Sequence, residues 1–249
     1  MTAQTFLITG GSNGIGRYLV KSLVNLGHHV IFIDCDEDQG LDLMAELDNH
    51  LVTFIYSDLK EESAINAISR NIADLNIKID TIIHNAMISK GGIFDATYED
   101  FIDVMKVGLA APFYLTKILL PYLNNDANII NMASTRAFQS QKNTEAYSAA
   151  KGGLIALTHA LSVSLAGVAR VNSISPGWID THHPIDQSDP FDDSQHPSKR
   201  RGIPQDILKA VLYISDKENT FLNGENITID GGMSKVMIYH KDEGWKKDL

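Results

Sequence analysis

Seven short apolar runs separated by longer amphipathic stretches place the strongest constraint on this chain. The runs lie at residues 5–9, 30–34, 52–56, 81–84, 129–132, 170–174 and 226–229. Several are apolar throughout instead of alternating, which predicts parallel strands covered on both faces. The stretches between them carry helix signals. Ile15, Leu19, Leu23 and Leu26 fall on one face of a helix that starts at Gly14, and Gly27 supplies a left-handed stop. Thr97 to Asp100 opens another helix as a capping box, with Asp in the closing position. Pro204 starts a helix through Ile214, where its missing N–H costs nothing. The alternation predicts an α/β Rossmann fold, a doubly wound seven-stranded parallel sheet with helices on both faces. Right-handed crossovers then bring the strand C-termini to one ligand-binding edge. No repeat or linker divides the 249 residues, so one domain over 1–249 is expected.

Composition narrows the function. A net charge of −10 gives no electrostatic footprint for a phosphate backbone, so nucleic acid is not an expected partner. The single cysteine, Cys35, excludes an intrachain disulfide and fits a reducing compartment. The first residues lack a basic and apolar leader, and no apolar run approaches the roughly 18–20 residues of a membrane span. The expectation is a cytoplasmic protein without a membrane partner.

The first strand runs directly into Thr9-Gly10-Gly11-Ser12-Asn13-Gly14-Ile15-Gly16. Glycines let backbone approach a ligand, and the helix N-terminus beyond them suits a pyrophosphate. Gly10, Ser12, Asn13, Gly14, Ile15 and Gly16 are therefore cofactor-binding candidates. Methyltransferases use similar turns, so context must decide. The second strand ends at Asp34, 18 residues after Gly16, near where a ribose-binding acid is expected. Its carboxylate suits ribose hydroxyls and repels a 2′-phosphate. Asp36, Glu37 and Asp38 follow with no Arg or Lys beside them, so NAD is expected over NADP. Cys35 lies inside this cluster and reads as a neighbour of the adenosine pocket.

Tyr147 and Lys151 are one helical turn apart on the same face. A phenol of pKa about 10 is a poor base at neutral pH, and a nearby ammonium favours the phenolate. Ser134 follows the strand at 129–132, at the cleft edge, where its hydroxyl can hold a substrate oxygen.

With these residues in order, the chain resembles the short-chain dehydrogenase/reductase family from about residue 5 to 232. The matching positions are Thr9–Gly16, Asp34, Asp58-Leu59, Asn85-Ala86, Ser134, Tyr147 with Lys151, Pro176-Gly177 with Thr181, and Asp230-Gly231-Gly232. The resemblance implies that Asp58 and Leu59 hold the adenine and that Asn85 and Ala86 pass beneath its ribose. Lys151 holds the nicotinamide ribose beside Tyr147, and Thr181 with Ile179, after Pro176 and Gly177, holds the carboxamide. Ser134 positions the substrate oxygen and Tyr147 transfers the proton. The implied activity is NAD-dependent interconversion of a secondary alcohol and a ketone. A methyltransferase is disfavoured by Tyr147 and Lys151.

Two positions depart from the family pattern. His84-Asn85-Ala86-Met87 ends in methionine where the family commonly has glycine, and Met87 either touches the cleft or fills an irregular gap. Gly108 stands where the family has the tetrad asparagine, which supports a water linking the lysine to solvent. Pro112 has no N–H, so the Gly108 carbonyl lacks its α-helical partner and is free to hold such a water. The alternative is an NAD-binding sensor or scaffold with weak or no turnover.

The irregular stretch at 177–203, with Pro184, Pro190, Pro197 and several aspartates, reads as a substrate lid or as a decorative surface loop. His182, His183 and His196 lack metal-ligand spacing, so no metal is expected. The helix after Lys151 and the stretch at 113–123 are apolar over much of their circumference. That implies burial against other copies, and the family resemblance implies a homotetramer, or at least a homodimer. The tail at 233–249, with Trp245, either packs over a neighbouring subunit or borders that subunit's cleft, or is a disordered end.

Overall fold

A computed structural model describes residues 3–183, 189–237 and 239. Pro184, Asp186, Ile238 and the tail from 240, with Trp245, lie outside the described residues. Seven strands form one sheet in the order β3-β2-β1-β4-β5-β6-β7. They are β1 Thr5–Thr9, β2 His29–Asp34, β3 Val52–Tyr56, β4 Ile79–His84, β5 Leu123–Met132, β6 Ala169–Pro176 and β7 Asn226–Ile229. Every neighbouring pair is parallel, as apolar runs without alternation require.

Side chains leave the sheet alternately. Phe6, Ile8, Val30 and Phe32 pack with α1 (Gly14–Asn25), α2 (Glu37–Leu47) and α8 (Pro204–Ser215). Leu7, Ile31, Ile33 and Ile82 face α3 (Glu62–Leu75), α5 (Ala111–Leu119) and the end of α6 (Glu145–Ser164). Each fully buried aliphatic or aromatic side chain adds about 1.5–3 kcal/mol, so both faces are strongly driven. The strand order reverses beside β1, between β1 and β4, and that crevice is where ligands bind in such sheets.

Local expectations are met at several ends. Gly27 has φ +84°, and Thr97 and Asp100 exchange reciprocal cap bonds of 3.0 and 3.1 Å at the start of α4 (Tyr98–Met105). Others change. Leu26 is exposed, because α1 ends at Asn25 and the chain turns away there. β5 begins at Leu123, six residues before its apolar run, with polar Asn124, Asn125 and Asp126 hiding its start. The apolar stretch at 113–123 is not one helix. Pro121 lacks an N–H, α5 stops at Leu119, and a 3-10 turn Leu120–Tyr122 leads into β5.

Residues 98–122 form one helical stretch long and apolar enough to cross a membrane by length and composition alone, which the sequence reading missed. In this fold it buries Val104, Val107, Leu115 and Leu119. Midway, Lys106–Ala110 is a π-turn in which the Ala111 N–H reaches the Lys106 carbonyl. The missing N–H of Pro112 is the physical reason for the slip, and Gly108 sits inside it.

Candidate active site

Two adjoining clefts run along the C-terminal edge of the sheet, about 900 and about 630 Å³ in volume. Asn85 and Met87 line both. The smaller holds Gly10, Asn13, Gly14, Asp34, Cys35, Asp58, Leu59 and Ala86. The larger holds Ile15, Ser134, Tyr147, Lys151, Pro176, Gly177, Ile179 and Thr181. Of the residues expected to bind cofactor, Ser12 and Gly16 line neither. Ser12 is buried, and its hydroxyl has no partner among the described residues. Gly16 packs so closely on the turn that a Cβ there would lie 1.9 Å from the Gly10 carbonyl oxygen.

The glycine-rich turn fits a dinucleotide. Gly14 has φ +55°, and the nearest heavy atom to a Cβ placed there is Thr181 Cγ2 at 3.8 Å, so the turn faces open space. Helix α1 begins without a side-chain cap and without an acid in its first turn. Its N-terminus is thus free for an anion. Asn85 fastens the turn across the switch point: its amide donates to the carbonyls of Thr9 and Gly10 at 3.2 and 2.9 Å. Asp34 ties the turn to β2 by accepting from the N–H groups of Ser12 and Asp36 at 2.9 and 3.1 Å.

The cations near Asp34 were not visible as sequence neighbours. Lys60 lines the same cleft but pairs with Asp58 at 3.4 Å. Arg17 donates to the carbonyls of Ser12 and Gln39, while its charge is held by Asp42 and Glu46 at 2.9 and 2.8 Å. Burial, then Asp34 and Asp58, push the Cys35 thiol up, away from reactivity.

The chemistry-bearing side chains converge on the larger cleft. Ser134 ends the loop after β5, and its Oγ accepts from the Arg136 N–H at 3.1 Å, leaving its own O–H to donate. Tyr147 stands in the first turn of α6, with Lys151 one turn on. The Lys151 ammonium lies 5.7 Å from the Tyr147 ring centre and donates to the Met132 carbonyl. Burial lowers its pKa to about 8. The Arg136 guanidinium lies 5.3 Å from the same ring centre. Arg136, Gln139, Gln141 and Trp178 were missed as lining residues, and only Arg136's place two residues after Ser134 hinted at its role.

Both departures from the family pattern meet in space. A Cβ on Gly108 would lie 2.7 Å from Met87 Sδ and 3.0 Å from Ala150 Cβ. Met87 therefore occupies the room a side chain at 108 would take, and it also borders both clefts. His84 is buried, bonded to Thr116 at 2.9 Å, and held neutral by burial, which takes its pKa down to about 3.

The stretch at 177–203 is less irregular than expected. It is pinned at its base by an Ile179–Gly202 bridge and by Arg201, paired with Asp180 at 2.8 Å. It contains a short helix, α7 (Pro190–Ser194), whose Asp192 faces the cleft. His182 and His183 are exposed and His196 is buried; no cluster suited to a metal occurs among the described residues. Met233, at the start of the tail, lines the chain's own cleft.

Residues 10–234 match the family model described as enoyl-(acyl carrier protein) reductase. An uncharacterized oxidoreductase of Thermotoga maritima is 36% identical over 97% of this chain and all of that protein. The 3-oxoacyl-(acyl-carrier-protein) reductase FabG of Rickettsia bellii is 30% identical over 95% of this chain and 99% of its own length. Among solved structures, an apo SCOR enzyme from Clostridium thermocellum shares 36% identity with a TM-score of 0.90, both chains covered fully. A 4-hydroxyisoleucine dehydrogenase complexed with NADH shares 26% identity with a TM-score of 0.84, over 94% of this chain and all of that one. Sheet order, motif order and these similarities agree: the chain belongs to the short-chain dehydrogenase/reductase family of oxidoreductases.

Proposed function

We propose that the chain is an NAD-dependent oxidoreductase, cytoplasmic, that interconverts a secondary alcohol and a ketone. The observation that carries this reading is the meeting of Ser134, Tyr147 and Lys151 on a cleft continuous with the Asp34 pocket. Gly10, Asn13, Gly14 and Ile15 would hold the pyrophosphate region. Asp34, Cys35, Asp58, Leu59, Asn85 and Ala86 would take the adenosine. Pro176, Gly177, Ile179, Thr181 and Lys151 would border the nicotinamide half. A bound nicotinamide dinucleotide supplies the hydride acceptor or donor. Ser134 Oγ–H holds the substrate oxygen, and Tyr147 takes or gives its proton. Lys151 and Arg136 place positive charge beside the Tyr147 ring. The test is NADH production across a panel of secondary alcohols by the wild-type chain.

NAD preference follows from charge. Asp34 lines the smaller cleft, Asp36, Glu37 and Asp38 follow it in sequence, and the nearby cations Arg17, Lys60 and Lys90 are each paired with an acid. In a fluorescence titration NADH is expected to bind roughly tenfold or more tightly than NADPH. Asp34→Ala should narrow the gap. Tighter NADPH binding by the wild type overturns the assignment.

A second reading, an NAD-binding sensor or scaffold with weak turnover, has one observation in its favour: Met87 fills the room beside Gly108, so no side chain there can hold a relay water. NADH binding without turnover of any alcohol would favour it.

Assembly enters this reading through an apolar groove between α6 and the stretch from α4 through the π-turn to the start of α5. Ile102, Met105, Leu109, Phe113 and Leu157 line it, and Phe113 is half-exposed. Covering this face by a second copy, and a second such contact, gives the homotetramer. Light scattering should return the mass of four subunits, or at least two; a single-subunit mass overturns it.

A further inference from the structure

We infer that Arg136 is an anion-receiving residue and that the substrate is a secondary alcohol bearing a carboxylate near the reacting carbon, or the matching oxo acid. The inference rests on the alcohol–ketone reading of the cleft. Arg136 follows Ser134 by two residues on a short 3-10 turn, Thr135–Ala137, and its N–H is bonded to the Ser134 hydroxyl oxygen. Its guanidinium lies against the Tyr147 ring and lines the larger cleft. The position is thus fixed relative to both groups that hold the reacting oxygen.

Arg136 is the arginine that lines the larger cleft, and its pairing differs from that of three others in this acid-rich chain. Arg17 is held by Asp42 and Glu46, Arg200 by Asp206, and Arg201 by Asp180. Arg136 donates to the Gln141 amide oxygen, and no carboxylate pairs with it among the described residues. A guanidinium presents its donors as a planar fork that matches a carboxylate, and one Nη is already steadied by Gln141. The neighbouring lining side chains, Gln139, Ser140 and Gln141, are polar and uncharged, so nothing on that wall neutralises the fork in advance. The acid lining the same cleft is Asp192 on α7. A latch between Arg136 and Asp192 is the competing role, and it would affect all substrates alike.

A carboxylate within reach of both Arg136 and Ser134 must lie a few bonds from the carbinol. That describes a short 2- or 3-hydroxy acid in preference to a simple acyl thioester, whose acyl end is neutral.

The experiment compares kcat/KM with NAD for short-chain 2- and 3-hydroxy acids and for the methyl ester of each. Wild type should favour at least one acid over its ester by about 10- to 100-fold, the span of a charge-assisted hydrogen-bonded pair. In Arg136→Gln that ratio should fall to about 1, and Arg136→Lys should keep part of it. Reading the ratio within one variant removes any change in the amount of folded protein. Parity of acid and ester in the wild type, or loss of both alike in Arg136→Gln, overturns the inference. If other secondary alcohols turn over but no hydroxy acid or ester does, the hydroxy-acid assignment is overturned and the alcohol–ketone reading stands; if no alcohol of any kind turns over, the alcohol–ketone reading fails separately. The anion site is then read by titrating butyrate into the NADH complex. A fluorescence change that Arg136→Gln weakens by tenfold or more supports it, and no carboxylate-dependent change overturns it.

Discussion

Replacing Tyr147 by Phe is expected to lower alcohol oxidation by about 10²–10⁴-fold, the range of a positioned acid–base group, while leaving NADH binding in place. The ring stays on α6 near Lys151 and Arg136, and only the proton-carrying oxygen is lost. Turnover unchanged in Tyr147→Phe would remove the mechanism. Lys151→Met adds a second, independent readout. It should also lose turnover, but its effect on stability depends on pH. Burial lowers the Lys151 pKa from 10.5 to about 8, so the fold binds fewer protons than the unfolded chain between those values. The penalty on the folded state is complete below about 8 and fades as pH rises toward 10.5. A shift of that size corresponds to about 3 kcal/mol. Chemical denaturation should therefore show wild type gaining on Lys151→Met by up to about 3 kcal/mol across that window. A difference between the two that stays flat with pH would mean the ammonium is not held in a buried site.

The sheet was readable because its strands are buried on both faces and so appear as unbroken apolar runs. What failed was the beginning of β5, where Asn124, Asn125 and Asp126 carry no apolar signal although the ladder with β4 already starts at Leu123. The glycine-rich turn, Ser134, Tyr147 and Lys151 were readable because spacing along one strand end or helix face survives into space. Relations between distant segments were not. Arg17 and Lys60 reach the Asp34 region from α1 and from the loop after β3, and only the parallel stacking of β1, β2 and β3 puts them there. Arg136 lay within the motif region, but its lack of a carboxylate partner is a three-dimensional fact.

The contact between Met87 and Gly108 is the sharpest case, because the sequence shows two unrelated departures and the fold makes them one. An asparagine placed at 108 in an otherwise unchanged chain should not restore a stronger relay. Its Cβ would lie 2.7 Å from Met87 Sδ, 3.2 Å from Met87 Cε and 3.0 Å from Ala150 Cβ. Ala150 is on the rigid inner face of α6, so the thioether must move. The open directions for it are the two clefts that it already borders. Gly108→Asn should therefore cost about 1–3 kcal/mol of stability by overpacking and weaken NADH binding roughly tenfold as Met87 enters the clefts. Met87→Gly alone should lose packing and loosen the loop after β4. Combined, the two changes should recover NADH affinity, with a coupling of about 1–2 kcal/mol in a double-mutant cycle. Additive effects would mean that the two positions do not share one space. A single Gly108→Asn that raises turnover by orders of magnitude would show that the missing asparagine, and not the packing around it, limits this site.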